Sequence, residues 1–265
     1  MTVDVDPVLC KAEGPGALTP WSVPMRVVEA SFPKPAENLA YDELLLNDAE
    51  DGRGVDTLRI WECQTPFVVL GVSQALREHV RVDACEKDGL RILRRCSAGG
   101  CVLQGPGCLN YTLVLSHANF PEIATIRGSY CFVLNRLAAA LKFAGIHASH
   151  KGTSDLAARG RKISGNAQRR RKRFVLHHGT LLYAMDPALM ERYLTEPADR
   201  PQYRGERTHG GFVRSIGLDA DTVRRVFLRA FSGEVTRDSI RKDERDAIRE
   251  LVKEKYTNPE WTARR

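Results

Sequence analysis

The sequence predicts an α+β fold in which a mixed or antiparallel β-sheet is packed by helices. Three observations carry that expectation. Strand-like runs come in close pairs joined by short turns, which suits antiparallel pairing. The amphipathic helical stretches fall between them at irregular intervals, unlike the regular alternation of a doubly wound parallel sheet. One Gly-rich stretch over residues 94–115, RRCSAGGCVLQGPGCLNYTLVL, joins two apolar runs through Gly105-Pro106-Gly107, a sequence with turn chemistry.

Residues 1–24 hold Pro7, Gly14, Pro15, Gly16, Pro20 and Pro24 with little periodic apolar pattern. They read as a loosely ordered leader, which leaves residues 25–265 as the folded domain. Residues 38–49 repeat Leu39, Ala40, Leu44 and Leu45 at helical spacing and stop before Asp51-Gly52. Residues 57–62 and 67–71 form two strands on either side of Pro66. Gly71-Val72-Ser73-Gln74 at the second strand's exit is either a plain turn or an edge that meets a ligand. Residues 75–89 read as loop plus a short helix, and 91–93 lead into the Gly-rich pair. The clearest helix is 130–144, where Tyr130, Val133, Leu134, Leu137, Ala138, Leu141 and Ala144 make one stripe and Gly145 ends it. Residues 156–184 read as a hairpin with its tight turn at Arg159-Gly160. Residues 185–218 are polar and rich in Arg and Gly, and suggest no element. Two helices close the chain, over 222–231 and 239–255.

The chain has 265 residues, 43% of them hydrophobic, enough for a sizeable core. Its net charge of +7 suits an acidic partner such as nucleic acid, a phosphorylated ligand or an acidic protein surface. No run approaches the roughly 18 apolar residues of a membrane span, and no secretory signal is visible. The seven cysteines are scattered, with no Cys-x-x-Cys pair. They read as reduced thiols of a cytoplasmic protein, neither a disulfide frame nor a zinc site.

Two stretches carry the chemistry. In the first, Gly99 and Gly100 leave backbone N–H groups open to another molecule, and Arg94 and Arg95 place positive charge beside them. An ordinary hairpin with a glycine bulge explains the same residues equally well. In the second, GRKISGNAQ, Lys162 follows a turn, with Ser164 and Gly165 close by and Asp155 upstream. A lysine there can bind carboxylate or phosphate oxygens and stabilise charge during attack on an activated acyl group; a solvated strand lysine is the commoner fate. Asp155 suits a metal ion, a ribose hydroxyl or a turn. Of His177 and His178, adjacent on a strand, only one can face a site. QRRRKR, residues 168–173, suits nucleic acid or an acidic protein surface.

Together these motifs resemble the lipoate–protein ligase A family of the biotin/lipoate ligase superfamily. The resemblance rests on RRCSAGGCVLQGPGCLNYTLVL, then SDL with GRKISGNAQ, then HHGTLLYAMD and KYTNPEW, in order over residues 38–261. It implies a class II biotin/lipoate-ligase-like catalytic domain without a separate C-terminal accessory domain. It implies that Arg95, Ser97, Gly99, Gly100, Val102 and Gln104 bind the acyl group and its adenylate, and that Lys162 is the catalytic lysine. Gly71, Gln74, Asp155, Ser164, Gly165 and Thr180 would bind the nucleotide, with Asp155 near Mg²⁺. The implied reaction converts lipoate and ATP to lipoyl-AMP, then acylates a lysine of an apo lipoyl domain of a 2-oxoacid dehydrogenase or of the glycine-cleavage H protein. A separate accessory chain is a further implied partner; a membrane is not, and nucleic acid is disfavoured. Ala98, Gln104 and Ser154 depart from the family pattern. The competing activity is octanoyl transfer from acyl carrier protein through a Cys thioester. Its thiol is absent from residues 148–154 and 184–200, where relatives of that type carry it. A basic nucleic-acid-binding protein on the same fold is the third reading.

Overall fold

Alternation along one buried strand sets the layers. On β6 (Cys108–Ser116), Leu109, Tyr111, Leu113 and Leu115 join one core while Val114 joins another on the opposite face. A strand buried on both faces needs cover on both. The first face is covered by α4 (Ile126–Phe143) and α7 (Ala220–Phe231). Each of these helices starts on a side-chain cap, Thr125 accepting from the Gly128 N–H and Asp219 from the Thr222 N–H. The second face is covered by α1 (Pro35–Glu50) and α8 (Lys242–Leu251). The computed structural model describes residues 21–233 and 235–264.

The main sheet has eight strands. In chain order they are β1 (Met25–Glu29), β2 (Thr57–Trp61), β6, β7 (Ala148–Lys151), β8 (Asp155–Ala158), β9 (Arg161–Arg170), β10 (Phe174–Leu182) and β11 (Val235–Asp238). Their spatial order is β11-β1-β2-β6-β10-β9-β8-β7. β1 pairs parallel with both β2 and β11, and the rest of the sheet is antiparallel. A second sheet of three strands is ordered β4-β3-β5, from β3 (Phe67–Leu70), β4 (Arg91–Arg94) and β5 (Val102–Gln104). The short helices α2 (Leu76–His79) and α3 (Val82–Lys87) connect β3 to β4. The mixed sheet packed by helices is the expected fold class.

Several expectations change. The two Gly-rich runs are not a hairpin. β5 pairs with β3 in the small sheet and β6 with β2 and β10 in the large one, so Gly105-Pro106-Gly107 carries the chain between sheets. Gly107, at φ +86°, has no room for a side chain, because a Cβ would lie 2.3 Å from the Met185 nitrogen. The stretch 156–184 is three strands, β8, β9 and β10, with the turn at Arg159-Gly160 as expected; both residues take positive φ. Residues 185–218 contain α5 (Ala188–Tyr193) and α6 (His209–Phe212), and β11 carried no recognised signal. Most of the leader, residues 1–20, lies outside the described residues. Trp21, read as part of it, is buried among Phe120, Phe132 and Phe231. Cys63, Cys85, Cys96, Cys101 and Cys108 are free thiols, but Cys131 is disulfide-bonded. Among the described residues no helix is long and apolar enough to cross a membrane.

Candidate active site

The loop between β4 and β5 is held from behind by the two arginines expected to bind anions. Arg94 is fully buried and donates to the carbonyls of Gly71 at 2.8 Å, Gln74 at 2.7 Å and Thr262 at 2.7 Å. Trp261, on α9 (Pro259–Ala263), returns an indole N–H to the Arg94 carbonyl at 2.8 Å. Arg95 donates to Ser97 Oγ at 3.0 Å and to the carbonyls of Ala98 at 2.7 Å and Gly100 at 2.9 Å. Neither arginine stands at the mouth as a free cation; their donors fix the shape of the loop. Burial pulls the Arg95 pKa below the usual guanidinium value. Gly71 packs so tightly on the loop that a Cβ there would fall 2.0 Å from the Gly99 carbonyl oxygen, and Gly99 itself has φ +93°. Gln74 Oε1 accepts from the Gly71 N–H at 2.9 Å, so it braces the same corner.

Lys162 sits on β9 opposite this loop. Its Nζ is 2.6 Å from Asp155 Oδ1, and Asp155 Oδ2 accepts from the Tyr203 hydroxyl at 2.7 Å. Burial, then the Asp155 charge, drives the Tyr203 phenol well above its ordinary pKa. Tyr203 comes from the stretch that suggested no element. That stretch also donates the Arg214 N–H to the Lys162 carbonyl at 2.9 Å. Gly165 gives the lysine its room, since a Cβ there would lie 3.0 Å from Lys162 Cε. Both Asp155 oxygens are thus engaged, and among the described residues no cluster of three or more acidic, His or Cys side chains could hold a metal. The donor set does not fit a protein-held Mg²⁺.

Between loop and lysine lies a cavity of about 650 Å³, counting its open mouth. Arg95, Gly100, Val102, Gln104, Lys162, Gly165 and Thr180 line it, together with Leu39, Trp61 and Val69 as apolar wall. Gly71, Gln74, Ser97, Asp155 and Ser164 are not among its lining residues, and Gly99 is exposed on the loop beside Gly100. Gln104 and Thr180, assigned to different halves of the ligand, touch each other. Gln104 Nε2 donates to Thr180 Oγ1 at 2.6 Å, Thr180 Oγ1 to Asn110 Oδ1 at 2.5 Å, and Asn110 Nδ2 back to Gln104 Oε1 at 3.1 Å. Cys101 also lines the cavity, and burial pushes its thiol up to about 12.

Strand alternation separates the two histidines as expected. His178 lines the cavity, with Nε2 2.6 Å from Ser97 Oγ and Nδ1 3.1 Å from Asp42 Oδ2. Asp42 Oδ1 in turn accepts from Arg59 at 2.6 Å. His177 faces the other core, between Tyr111 and Tyr130, with neither nitrogen hydrogen-bonded. Asp42 was overlooked in the sequence. Its signal was a pair of polar residues, Asn38 and Asp42, one turn apart within the apolar stretch of α1.

Such a site can seat an apolar chain with an anionic head beside a lysine and a braced glycine loop. The model of the lipoyl protein ligase A/B catalytic domain matches residues 34–232. The chain belongs to that family. It is 32% identical to an octanoyltransferase LipM of Carboxydothermus hydrogenoformans, over 86% of this chain and 94% of the relative. It superposes with TM-score 0.80 and 25% identity on the bipartite lipoate protein ligase of Thermoplasma acidophilum, from a structural study of that ligase and its E2 lipoyl domain; 91% of this chain and 96% of that one are covered. A lipoate-protein ligase A bound with ATP shares the fold at TM-score 0.80 and 24% identity, over 91% of this chain and 99% of that one. Two departures from the family pattern now have places. The Ala98 carbonyl accepts from Arg95, and Ser154, on the cavity wall, offers its carbonyl to the Asn166 side chain at 2.8 Å.

The basic run 168–173 is largely absorbed by this family fold. Arg169 is 2.6 Å from Glu43, which also takes Lys255 at 2.7 Å and the Tyr256 hydroxyl at 2.7 Å. Arg170 donates to the carbonyls of Ile123 and Ala124, both at 2.8 Å. The turn at 171–173 stands at the opposite end of β9 from Lys162, some nine residues or roughly 30 Å along the strand.

Proposed function

We propose that this chain activates lipoate or octanoate with ATP to the acyl-adenylate and transfers the acyl group to a lysine of a lipoyl domain or of the glycine-cleavage H protein. The observation that carries this reading is the placement of Lys162. It is ion-paired at 2.6 Å beside a side-chain-free Gly165 and shares a cavity wall with the Arg95-braced loop. A charged amine so placed suits an acyl phosphate anhydride, whose oxygens carry negative charge through attack at carbon. Leu39, Val69 and Val102 supply the apolar wall for the aliphatic chain. The bipartite ligase of Thermoplasma acidophilum, described together with its E2 lipoyl domain as a lipoylation system, supports a lipoyl domain as acceptor.

Octanoyl transfer from a carrier-protein thioester is the second reading. The 32%-identical octanoyltransferase favours it, and Cys101 on the cavity wall is the thiol it would call on. Burial keeps that thiol protonated at neutral pH, which disfavours it as the nucleophile. The deciding experiment incubates the purified chain with an apo lipoyl domain in two arms, octanoate or lipoate with ATP and Mg²⁺, or octanoyl carrier protein alone, and weighs the acceptor. A mass gain only in the ATP arm supports the ligase. A gain only in the carrier arm, abolished by Cys101→Ala, overturns it in favour of the transferase.

A further inference from the structure

The KYTNPEW run at residues 255–261 has no part in the reaction as proposed above, but its side chains are committed one after another. Lys255 Nζ lies 2.7 Å from both Glu43 oxygens, and the Tyr256 hydroxyl donates to Glu43 at 2.7 Å. Glu43 stands on α1, so the run is pinned to the helix that also lends Leu39 and Asp42 to the cavity wall. Asn258 caps α9 by accepting from the Glu260 N–H at 2.9 Å, and Pro259 fills the first turn, where its missing N–H breaks no bond. The Trp261 ring sits between two cations, Lys255 Nζ and the Arg264 guanidinium, each 4.1 Å from its centroid.

α9, held in this way, delivers carbonyls to Arg94. A helix leaves the C=O groups of its last turn without intrahelical donors. Arg94 Nε donates to the Trp261 carbonyl at 3.0 Å and Nη2 to the Thr262 carbonyl at 2.7 Å. Nη1, on the other side of the fork, holds the carbonyls of Gly71 and Gln74. The planar guanidinium thus fixes the 71–74 corner relative to α9. The glycine loop rests on that corner. The Val72 N–H donates to the Ser97 carbonyl at 2.8 Å, the Arg95 N–H donates to the Leu70 carbonyl at 3.0 Å, and Gly71 packs on the Gly99 carbonyl. From Trp261 to Gly99, next to the cavity-lining Gly100, each link is a hydrogen bond or a close backbone contact.

We propose that Trp261 is a positioning residue for the acyl-donor site: through Arg94 it fixes the corner on which residues 97–100 lie, and so sets how tightly the site binds the donor. Trp261 does not line the cavity and touches no reacting atom. Its indole N–H closes the lock by donating to the Arg94 carbonyl at 2.8 Å, so the arginine is gripped by side chain and backbone together. A displaced loop loses contacts made alike in the ground state and the transition state, which raises KM and leaves kcat. This inference rests on the acyl-transfer reading of the site.

Two variants test it. Trp261→Phe keeps an aromatic ring between the cations and removes the donor to Arg94; Trp261→Ala removes both. The intact chain is assayed with saturating apo lipoyl domain while the donor is varied, either lipoate with ATP and Mg²⁺ or octanoyl carrier protein, whichever the wild type uses. The expected result is a donor KM raised about 10-fold in Trp261→Phe and further in Trp261→Ala, with kcat of Trp261→Phe within about twofold of wild type. Hydrogen–deuterium exchange gives a readout that needs no activity. The Val72 and Arg95 amides should exchange faster in both variants, while amides of the β6–β10 ladder keep their wild-type rates. A merely structural role predicts another pattern: the ladder amides also exchange faster, kcat falls with the folded fraction, and KM is unchanged. That pattern overturns the proposal, as do wild-type KM and wild-type exchange at the two amides. Should Trp261→Ala not fold, Trp261→Phe carries the comparison alone. If the wild-type chain acylates the domain from neither donor, the acyl-transfer reading itself fails, and exchange at Val72 and Arg95 still decides whether Trp261 holds the corner.

Discussion

His177 gives the fold a pH dependence that one substitution should erase. The ring is fully buried between Tyr111 and Tyr130, and neither nitrogen finds a partner. Burial, followed by repulsion from His178 and His150, lowers its pKa from 6.5 to about 3. In the unfolded chain the ring titrates normally. Between these two values the unfolded state therefore binds a proton that the folded state refuses, and stability is lost as pH falls below the unfolded pKa. At pH 5 the folded ring is still neutral, so the penalty is set by the roughly 1.5 units between pH 5 and the unfolded pKa. At 1.36 kcal/mol per unit that is about 2 kcal/mol, a large share of a typical domain's stability. Phenylalanine keeps the ring between its aromatic neighbours and removes both unpartnered nitrogens. Urea unfolding of wild type and His177→Phe at pH 8 and pH 5 isolates the effect, because every other titrating group is common to both. The wild type should lose about 2 kcal/mol more than the variant on going from pH 8 to pH 5. Parallel losses would show that the ring is protonated or solvated in the folded state, and the burial argument would be wrong.

Further outcomes follow from the site and its supports. Lys162→Ala should cut acyl transfer by about 10²–10³-fold with an unchanged circular dichroism spectrum; a residual rate near wild type would dismiss Lys162 as the charge-stabilising group. Glu43→Ala strands Arg169 and Lys255 without their shared carboxylate. It should cost about 3–5 kcal/mol in urea unfolding, most of it absent if these ends are solvated. Gly179→Ala would set a Cβ 1.8 Å from Asn166 Oδ1 and break the Tyr111–Asn166 bond, a destabilisation of about 1–3 kcal/mol visible as a lower thermal midpoint. Arg171→Glu with Lys172→Glu should leave the rate of lipoyl-domain acylation unchanged at low salt, because that turn lies far from the cavity. A marked fall would restore the turn as a docking contact.

What the sequence made legible were backbone demands and face patterns. Gly71 reads as a turn or a ligand edge and Gly99 as backbone open to another molecule, and the structure packs the two against each other, one strand exit against the loop of another. The alternation rule sorted His177 from His178, although it could not say which faced the cavity. The hairpin misreading has an equally local cause. Turn chemistry at Gly105-Pro106-Gly107 reports a change of direction, and nothing in those residues reports whether the next strand returns to the same sheet.

The unread part of the site is the part that depends on partners far apart in the chain. Asp42 and His178 are separated by 136 positions, Arg94 and Thr262 by 168. A charge run says that cations are present, not whether water, a ligand or the chain's own carbonyls receive them. Arg94, Arg95 and Arg170 all looked available to an anion, and all three spend their donors on backbone oxygens. Their use follows from the fold itself. A glycine loop that offers bare N–H groups to a ligand must leave its carbonyls facing inward, where each unpaired one would cost a desolvation penalty. A guanidinium, with five donors in a rigid fork, satisfies several at once. The basic residues before the glycines are thus the means by which the loop keeps its shape, and the positive charge left to meet a substrate is carried from across the cavity by Lys162.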